Sequence, residues 1–326
     1  MTEDQSAQLS EKVVSARDIM NLDINDYPTL LQDILPIKGI VALAGASDLG
    51  KSLLLQQLSL AIAFGLDEFL GFKLNISKNR SLYVSTEDDD YVMAIRIRNL
   101  SKVMKGDKFE NLRFIFNTDM LLSTLDAELS ARPCSLVVLD AFADIFQGDL
   151  NNAVSVRQFI QPFKQLAQLH ECLFIFNHHC GKNVQYKIPH KDNLLGSQGF
   201  ESSMRTVIEL RQDPTDKHKR HICIVKGNNI SSEMKEHSYE LDLSFENGFT
   251  FTGNRVPFTS LIQGSKSGSK SFDDNLIKRI IQYSEEGISG NQIYQKLNSE
   301  NKSIKRTAVT EIIRNHKDSK LDNTTK

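Results

Sequence analysis

The sequence has few cysteines and no long apolar segment. Four cysteines in 326 residues, none spaced as a Cys-x-x-Cys pair, argue against a disulfide framework or a zinc site. Buried free thiols are therefore expected at Cys134, Cys172, Cys180 and Cys223. No apolar run approaches the roughly twenty residues that a membrane span needs, and residues 1–12 are too polar and acidic for a signal peptide. We expect a cytoplasmic protein without a membrane partner.

Net charge is also small, but it is unevenly distributed. The formal net charge of −2 gives no whole-chain indication of nucleic-acid binding. Residues 264–326, however, carry 12 Lys and Arg against 8 Asp and Glu, and the rest of the chain is net acidic. The carboxyl-terminal tail is therefore the basic part of the chain, where DNA contact is most expected.

Residues 45–52 read GASDLGKS and lie between an apolar run, residues 40–43, and a leucine-rich, helix-like segment. The two glycines allow successive N–H groups to point inward at a phosphate, and the helix that opens at Lys51 directs its positive end to the same place. In such a loop the lysine reaches the β- and γ-phosphates, and the serine hydroxyl binds Mg²⁺. The alternative is an ordinary strand-to-helix turn. We expect a cradle for ATP and Mg²⁺ formed by Gly45, Ala46, Ser47, Asp48, Leu49, Gly50, Lys51, Ser52 and Leu53.

Further apolar runs alternate with helix-like stretches, which favours an α/β fold with a mostly parallel sheet and crossover helices. Two later runs are separated by a charged turn and are expected to extend the sheet as antiparallel strands, followed by two more. The parallel runs are residues 81–85, 112–116, 135–140 and 172–177, and the later ones are 206–212, 221–226, 239–243 and 248–253.

The segment GSKSGSKS at residues 264–271 contains no apolar residue and is expected to be a flexible linker. Apolar residues at helical spacing follow it and predict three short helices, an arrangement typical of a helix-turn-helix or winged-helix domain. The expected organisation is a lead-in at 1–32, an ATPase domain at 33–260, a linker at 261–271 and a helix-turn-helix-like domain at 272–326.

Two carboxylates follow predicted strands. Asp140 ends the run at 135–140, at the carboxyl edge of the sheet, where it could hold the Mg²⁺ that Ser52 also binds; capping of the next helix is the alternative. Glu87 follows the run at 81–85, beside the cradle, and is the candidate for orienting and deprotonating water. Asp88, in the same acidic run, is the alternative to Glu87.

A histidine pair, His178 and His179, follows the run at 172–177. Adjacent residues of an extended chain point to opposite sides, which disfavours binding of one metal ion by both. One of them, with His179 as the candidate, is expected to donate a hydrogen bond to the γ-phosphate. Ordinary polar residues at a strand end are the alternative.

These segments together resemble the plasmid RepA type of hexameric replicative helicase, within the RecA and DnaB superfamily. The resemblance covers roughly residues 33–229, and its ordered set of motifs is GASDLGKS, STED (85–88), SLVVLDAFAD (135–144), HHCGK (178–182), GSQGFESSMR (196–205) and VKGNN (225–229). It implies a RecA-like ATPase that hydrolyses ATP with Mg²⁺ and forms a six-membered ring around single-stranded DNA.

The resemblance also assigns residues at the subunit boundary and in the ring. Arg205 matches the arginine that reaches a neighbouring subunit's γ-phosphate. Lys226 matches a basic residue near the end of the next strand, which has a role related to that of the arginine. Residues 182–193 match the DNA-contacting central loop, although a solvated surface loop is the alternative. In that loop the lysines would contact phosphates and Tyr186 would stack on a base; the lysines are Lys182, Lys187 and Lys191.

The last predicted helix divides its surface as a recognition helix does. Arg306, Thr310 and Arg314 lie largely on one face and are the candidates for duplex DNA contact, while the aliphatic residues pack inward. A protein-docking module is the alternative for this domain.

The sequence departs from the RepA pattern in two ways. Gly227 follows Lys226 where the family has a polar residue, and the tethered carboxyl-terminal domain is not part of the minimal helicase. A RecA- or KaiC-like ATPase that does not unwind DNA, and a nucleotide-controlled DNA-binding replication regulator, are therefore the alternative functions.

Overall fold

The structure, a computed structural model, describes residues 13–22, 26–196, 198–244, 246–263, 274–299, 306, 309–310 and 312–313. The chain divides into two compact units, Met1–Gln263 and Gly264–Lys326. The segment predicted as a linker at 264–271 lies outside the described residues. Leu261, which the sequence places at the start of the linker, is only 1 % exposed, and the Gln263 N–H donates a hydrogen bond to the Gln185 carbonyl. The first unit therefore continues to Gln263.

A nine-stranded sheet forms the centre of the described part of the first unit, with the strand order β13-β12-β11-β10-β3-β9-β8-β6-β7. Strands β3 and β6 to β10 are parallel, and β11 to β13 extend the sheet as antiparallel strands, as the sequence predicts. The strands are β1 (Thr29–Leu31), β2 (Leu35–Pro36), β3 (Gly39–Gly45), β4 (Glu68–Phe69), β5 (Phe72–Lys73), β6 (Ser81–Ser85), β7 (Leu112–Ile115), β8 (Leu136–Asp140), β9 (Leu173–His179), β10 (Thr206–Gln212), β11 (Lys219–Gly227), β12 (His237–Ser244) and β13 (Gly248–Pro257).

Helices cover both faces of this sheet, so β3 and β8 are buried along their whole length and read as continuous apolar runs. One hydrophobic cluster packs around α2 and another around α6. The helices of this unit are α1 (Ala16–Met20), α2 (Lys51–Phe64), α3 (Asp90–Leu100), α4 (Leu121–Ala131), α5 (Phe142–Ile145), α6 (Ala153–Leu169) and α7 (Gln198–Ser203). None of the helices in the described ranges is long and apolar enough to cross a membrane.

Strand register decides which residues share an edge of the sheet. Gly45 at the end of β3 lies opposite His179 at the end of β9, and Ser85 lies opposite Asp140 on the neighbouring pair β6 and β8. The carboxyl ends of these four strands therefore meet at one edge. On the other side of β3, Thr206 at the start of β10 pairs with Val41. Arg205, which precedes Thr206, therefore lies at the amino edge of the sheet, away from the cradle.

The second unit contains two helices within the described residues, α8 (Asp274–Glu285) and α9 (Gly290–Ser299). Their apolar faces meet in a small core of their own, formed by Leu276, Ile280, Ile293, Leu297 and Val309. The Ser289 hydroxyl caps α9 by accepting a hydrogen bond from the Gln292 N–H at 3.5 Å.

The third predicted helix is described only in part. Arg306 and Thr310 have helical backbone, and both are exposed. Arg314 lies outside the described residues. The winged-helix arrangement and its DNA contacts stay predictions.

Candidate active site

The loop between β3 and α2 is shaped by its two glycines. A Cβ atom at Gly45 would lie 2.8 Å from the main-chain oxygen of Leu210 on β10, which is closer than the atoms can approach. Gly50 has a φ of +89°, and a Cβ there would lie 2.9 Å from the Phe249 ring. Gly45 is therefore required by the close approach of a neighbouring strand, and Gly50 by left-handed backbone.

Lys51 begins α2 and is a buried cation, only 6 % exposed. Its Nζ donates a hydrogen bond of 2.8 Å to the Ala46 carbonyl inside the same loop. Burial lowers the pKa of Lys51, and the nearby Cys180, Asp140 and Glu87 partly oppose that shift. An ammonium group that turns back to a carbonyl of its own loop has donors available for phosphate oxygens. The loop thus fits a nucleotide phosphate.

Asp140 and Ser52 offer the oxygen ligands that Mg²⁺ prefers. The Tyr83 hydroxyl and the Asn177 amide each donate a hydrogen bond to the Asp140 carboxylate. The same Asn177 nitrogen lies 3.5 Å from the Ser52 hydroxyl oxygen, so one side chain connects both predicted ligands. The arrangement fits a magnesium ion, which would neutralise phosphate charge.

The sequence pattern does not indicate Tyr83 and Asn177 as site residues, because both belong to runs typical of a buried strand. Tyr83 is fully buried, and burial followed by the charge of Asp140 raises its pKa, so the phenol stays protonated and donates. The available signal was polarity: an amide within an otherwise apolar strand needs a buried partner.

Glu87 lies at this edge, although its strand β6 is not a neighbour of the cradle strand β3. In the sheet, β8 and β9 separate β6 from β3. The loop after β6 nevertheless carries Glu87 to a point where its Oε1 is 3.8 Å from Nε2 of His179. Burial, then the charges of Asp140 and Asp144, raise the pKa of Glu87, which suits a general base.

Asp88, the alternative, is engaged elsewhere. Its carboxylate forms an ion pair with Arg96 on α3 and also receives two hydrogen bonds from that guanidinium. Of the two acidic residues, it is Glu87 that faces the histidine at the end of β9.

The two histidines point to opposite sides, as expected for adjacent residues of a strand. His178 is 1 % exposed, packs against Phe142 and Phe200, and its Nε2 lies 2.8 Å from the Leu195 carbonyl oxygen. Burial lowers the pKa of His178 to about 4, so its ring is neutral at pH 7 and donates to Leu195. His178 thus anchors the following loop, and His179 is the histidine beside Glu87.

Arg205 and Lys226 lie at the amino edge, away from their own cradle. The exposed Arg205 donates a hydrogen bond of 2.7 Å to the Tyr27 hydroxyl. Lys226 lies 2.9 Å from the Glu201 carboxylate and also donates to the Glu201 carbonyl. Neither side chain is brought to Lys51, Glu87 or the magnesium ligands.

The candidate DNA loop is held at its base by β10. Arg211 donates to the carbonyls of Val184 and Lys187, at 2.6 and 2.7 Å, and pairs with the buried Glu209 beside it. The Lys182 and Lys187 side chains remain exposed. Lys191, by contrast, lies 3.6 Å from the Glu201 carboxylate, which partly neutralises it.

Arg220 is a further residue that no motif indicated. It lies in the charged stretch before the apolar run of β11, and its Nε donates a hydrogen bond of 3.1 Å to the Leu49 carbonyl of the cradle. A basic residue in a charged turn gives no signal of such a contact, because the contact depends on how β11 packs beside the loop.

The profile of a protein family described as AAA domain matches residues 3–185. This segment is more than half of the chain and contains the cradle, Glu87, Asp140 and His179. Arg205 and Lys226 lie beyond it. Among curated proteins, no relative matches the sequence. With the cradle, the magnesium ligands and the glutamate at one edge of a mostly parallel sheet, the chain belongs to the AAA domain family of P-loop ATPases.

Proposed function

We propose that this P-loop ATPase is a DNA-translocating ring enzyme, acting as a RepA-like replicative helicase of a plasmid, phage or mobile element. Nucleotide hydrolysis follows from the family; the ring, the DNA and the unwinding are the proposal. In each subunit Lys51 would bind the β- and γ-phosphates, Glu87 would accept the proton of the attacking water, and His179 would donate a hydrogen bond to the γ-phosphate.

The observation that carries the proposal is the position of Arg205. In the register of β10 against β3, Thr206 lies opposite Val41 and Leu210 lies opposite Gly45. At about 3.3 Å per residue, Arg205 is therefore roughly 17 Å from the start of its own cradle, more than twice the length of an arginine side chain. Arg205 is also exposed and forms no ion pair within the described residues. If it acts on a γ-phosphate, that phosphate belongs to another copy of the chain.

The DNA part of the proposal rests on the exposed basic groups that follow β9. Lys182 and Lys187 project from a loop that begins three residues after His179, and their loop is anchored to β10 by Arg211. A movement of His179 when the γ-phosphate binds or leaves would therefore reach Lys182 and Lys187 over a short, anchored segment. Lysines with one exposed tyrosine, Tyr186, suit phosphate contact and base stacking.

The composite site is tested by mixing two inactive variants. Arg205→Ala retains its cradle and Lys51→Ala retains its arginine, so a mixed ring contains some interfaces with both groups intact. With equal amounts and random assembly, about one quarter of the interfaces would be intact, and the ATPase rate should return to about that fraction of the parent. Lack of recovery, despite subunit exchange shown by fluorescence energy transfer, would contradict the composite site.

Unwinding is tested with a forked DNA duplex, ATP and a non-hydrolysable analogue. A helicase separates the strands only with ATP. The second candidate, a nucleotide-controlled DNA-binding regulator, is favoured by the separate carboxyl-terminal unit with its own core. A regulator would bind the duplex with either nucleotide and leave the strands paired, and that result would refute the helicase.

A further inference from the structure

Arg220 is a buried cation that is hydrogen-bonded to the main chain of the phosphate cradle. Its side chain, 7 % exposed, projects from the beginning of β11. Nε donates to the Leu49 carbonyl at 3.1 Å, and Nη1 donates to the carbonyls of Lys217 and Lys219 at 2.7 and 2.9 Å. Its hydrogen bonds within the described ranges all end on main-chain oxygens, which carry only partial charge.

No carboxylate of the described residues forms an ion pair with Arg220. The acidic groups on neighbouring positions are already engaged: Glu240 pairs with Lys219, and Asp213 pairs with His221, each at 2.9 Å. Burial lowers the pKa of Arg220, yet a guanidinium remains protonated in proteins. A buried cation without a full counter-charge costs folding free energy, and an anion bound nearby would reduce that cost.

The contact with Leu49 fixes one particular peptide of the cradle. In a trans peptide the carbonyl and the following N–H point in opposite directions. Because the Leu49 carbonyl accepts from Arg220, the N–H of Gly50 is directed away from Arg220. Gly50 has left-handed backbone and directly precedes the buried Lys51, so this N–H is one of the donors at the opening of α2.

We propose that Arg220 is a positioning residue for nucleotide phosphates: it holds the Leu49–Gly50 peptide in its binding orientation and receives its counter-charge from the bound phosphates. The inference rests on the nucleotide site of the proposed function. It does not depend on the ring or on DNA, since every contact that carries it lies within one subunit.

The experiment compares Arg220→Met and Arg220→Lys with the parent protein and with Arg113→Met, a control in which an exposed arginine paired with Glu128 is removed. The ligands are MgATP and magnesium tripolyphosphate, which has the phosphates of ATP without the nucleoside. The readouts are dissociation constants by calorimetry and melting temperatures with and without ligand.

We expect Arg220→Met to weaken both ligands by about ten- to hundredfold, the range for loss of a hydrogen bond to a charged group. Arg220→Lys keeps the positive charge but not the planar guanidinium with its several N–H donors, so its dissociation constants should lie between those of Arg220→Met and the parent. Without ligand, Arg220→Met should melt close to the parent, because the lost hydrogen bonds are offset by removal of a buried, uncompensated charge. The control should bind both ligands as the parent does.

Two results would overturn this inference while leaving the nucleotide site intact. One is unchanged affinity of Arg220→Met for both ligands. The other is a large loss of ligand-free stability in both Arg220 variants with the ligand-induced rise in melting temperature preserved, which would make Arg220 a structural residue. Failure of the parent itself to bind MgATP would instead refute the nucleotide site, and the inference with it.

Discussion

Replacement of Glu87 by glutamine tests the assignment of the catalytic base. The substitution keeps the size and hydrogen-bonding capacity of the side chain but removes its ability to accept the proton of water. General-base catalysis contributes about 10²- to 10⁴-fold, or roughly 3–5 kcal/mol of transition-state stabilisation, so kcat should fall by that factor. Affinity for MgATP should change little, because Lys51, Ser52 and Asp140 remain.

The assay is steady-state phosphate release together with equilibrium binding of MgATP. Asp88→Asn is the matched control, since Asp88 is one residue away and is paired with Arg96 on α3. We expect its kcat to stay within a fewfold of the parent. A Glu87→Gln enzyme as active as the parent, or a larger loss in Asp88→Asn, would refute the assignment.

The same residue predicts a pH dependence. The base must be ionised to accept a proton, so the rate should fall as the pH drops through the pKa of Glu87. Because burial and the charges of Asp140 and Asp144 raise that pKa, the acid limb of the kcat profile should lie at higher pH than for an ordinary glutamate. In Glu87→Gln this limb should vanish from the residual activity. A limb of unchanged position in the variant would assign it to another group.

Three further outcomes are expected. Asn177→Ala removes the amide that orients Asp140, so the Mg²⁺ concentration for half-maximal activity should rise about 10- to 100-fold; an unchanged value would exclude this role. Burial opposes ionisation of Asp213, but hydrogen bonds from His221 and from Thr215 lower its pKa to about 2. Asp213→Asn should therefore lower the free energy of unfolding in urea by about 2 kcal/mol at pH 7, and by less as the pH falls toward 2. Equal losses at pH 7 and at low pH would contradict this. The fragment 271–326 should bind duplex DNA with an affinity that decreases with salt; a folded fragment without such binding would make the tail a protein-contact element.

Matched controls separate these effects from general damage. Asn75→Ala removes an exposed asparagine that bonds to the Thr29 carbonyl, and it should leave the Mg²⁺ requirement unchanged. Asp126→Asn removes an exposed carboxylate from a pair with His170, and its effect on unfolding should be smaller than that of Asp213→Asn at pH 7.

The fold was largely predictable because its information is local. A buried parallel strand must be apolar on both faces, and a crossover helix must separate it from the next, so β3 and β6 to β9 were visible as short apolar runs. The charged turn between β10 and β11 likewise predicted an antiparallel pair, which the structure confirms. The phosphate cradle was equally local, since eight consecutive residues contain its glycines, lysine and serine.

What depends on spatial neighbours could not be predicted in this way. The sequence alone indicated that Lys51, Glu87, Asp140 and a histidine end or follow strands, and it predicted a basic carboxyl-terminal domain after a linker. Only the tertiary structure decided that β8 and β9 lie between β3 and β6, and that His179 rather than His178 meets Glu87.

The same limit applies to the residues that support the site. Tyr83, Asn177 and Arg220 act on Asp140 or on the Leu49 carbonyl, which are 57, 37 and 171 positions away in the chain. Contacts over such separations depend on the order of strands in the sheet and on close packing of their side chains. A hydrophobic pattern specifies which residues are buried, but it does not specify which of them touch.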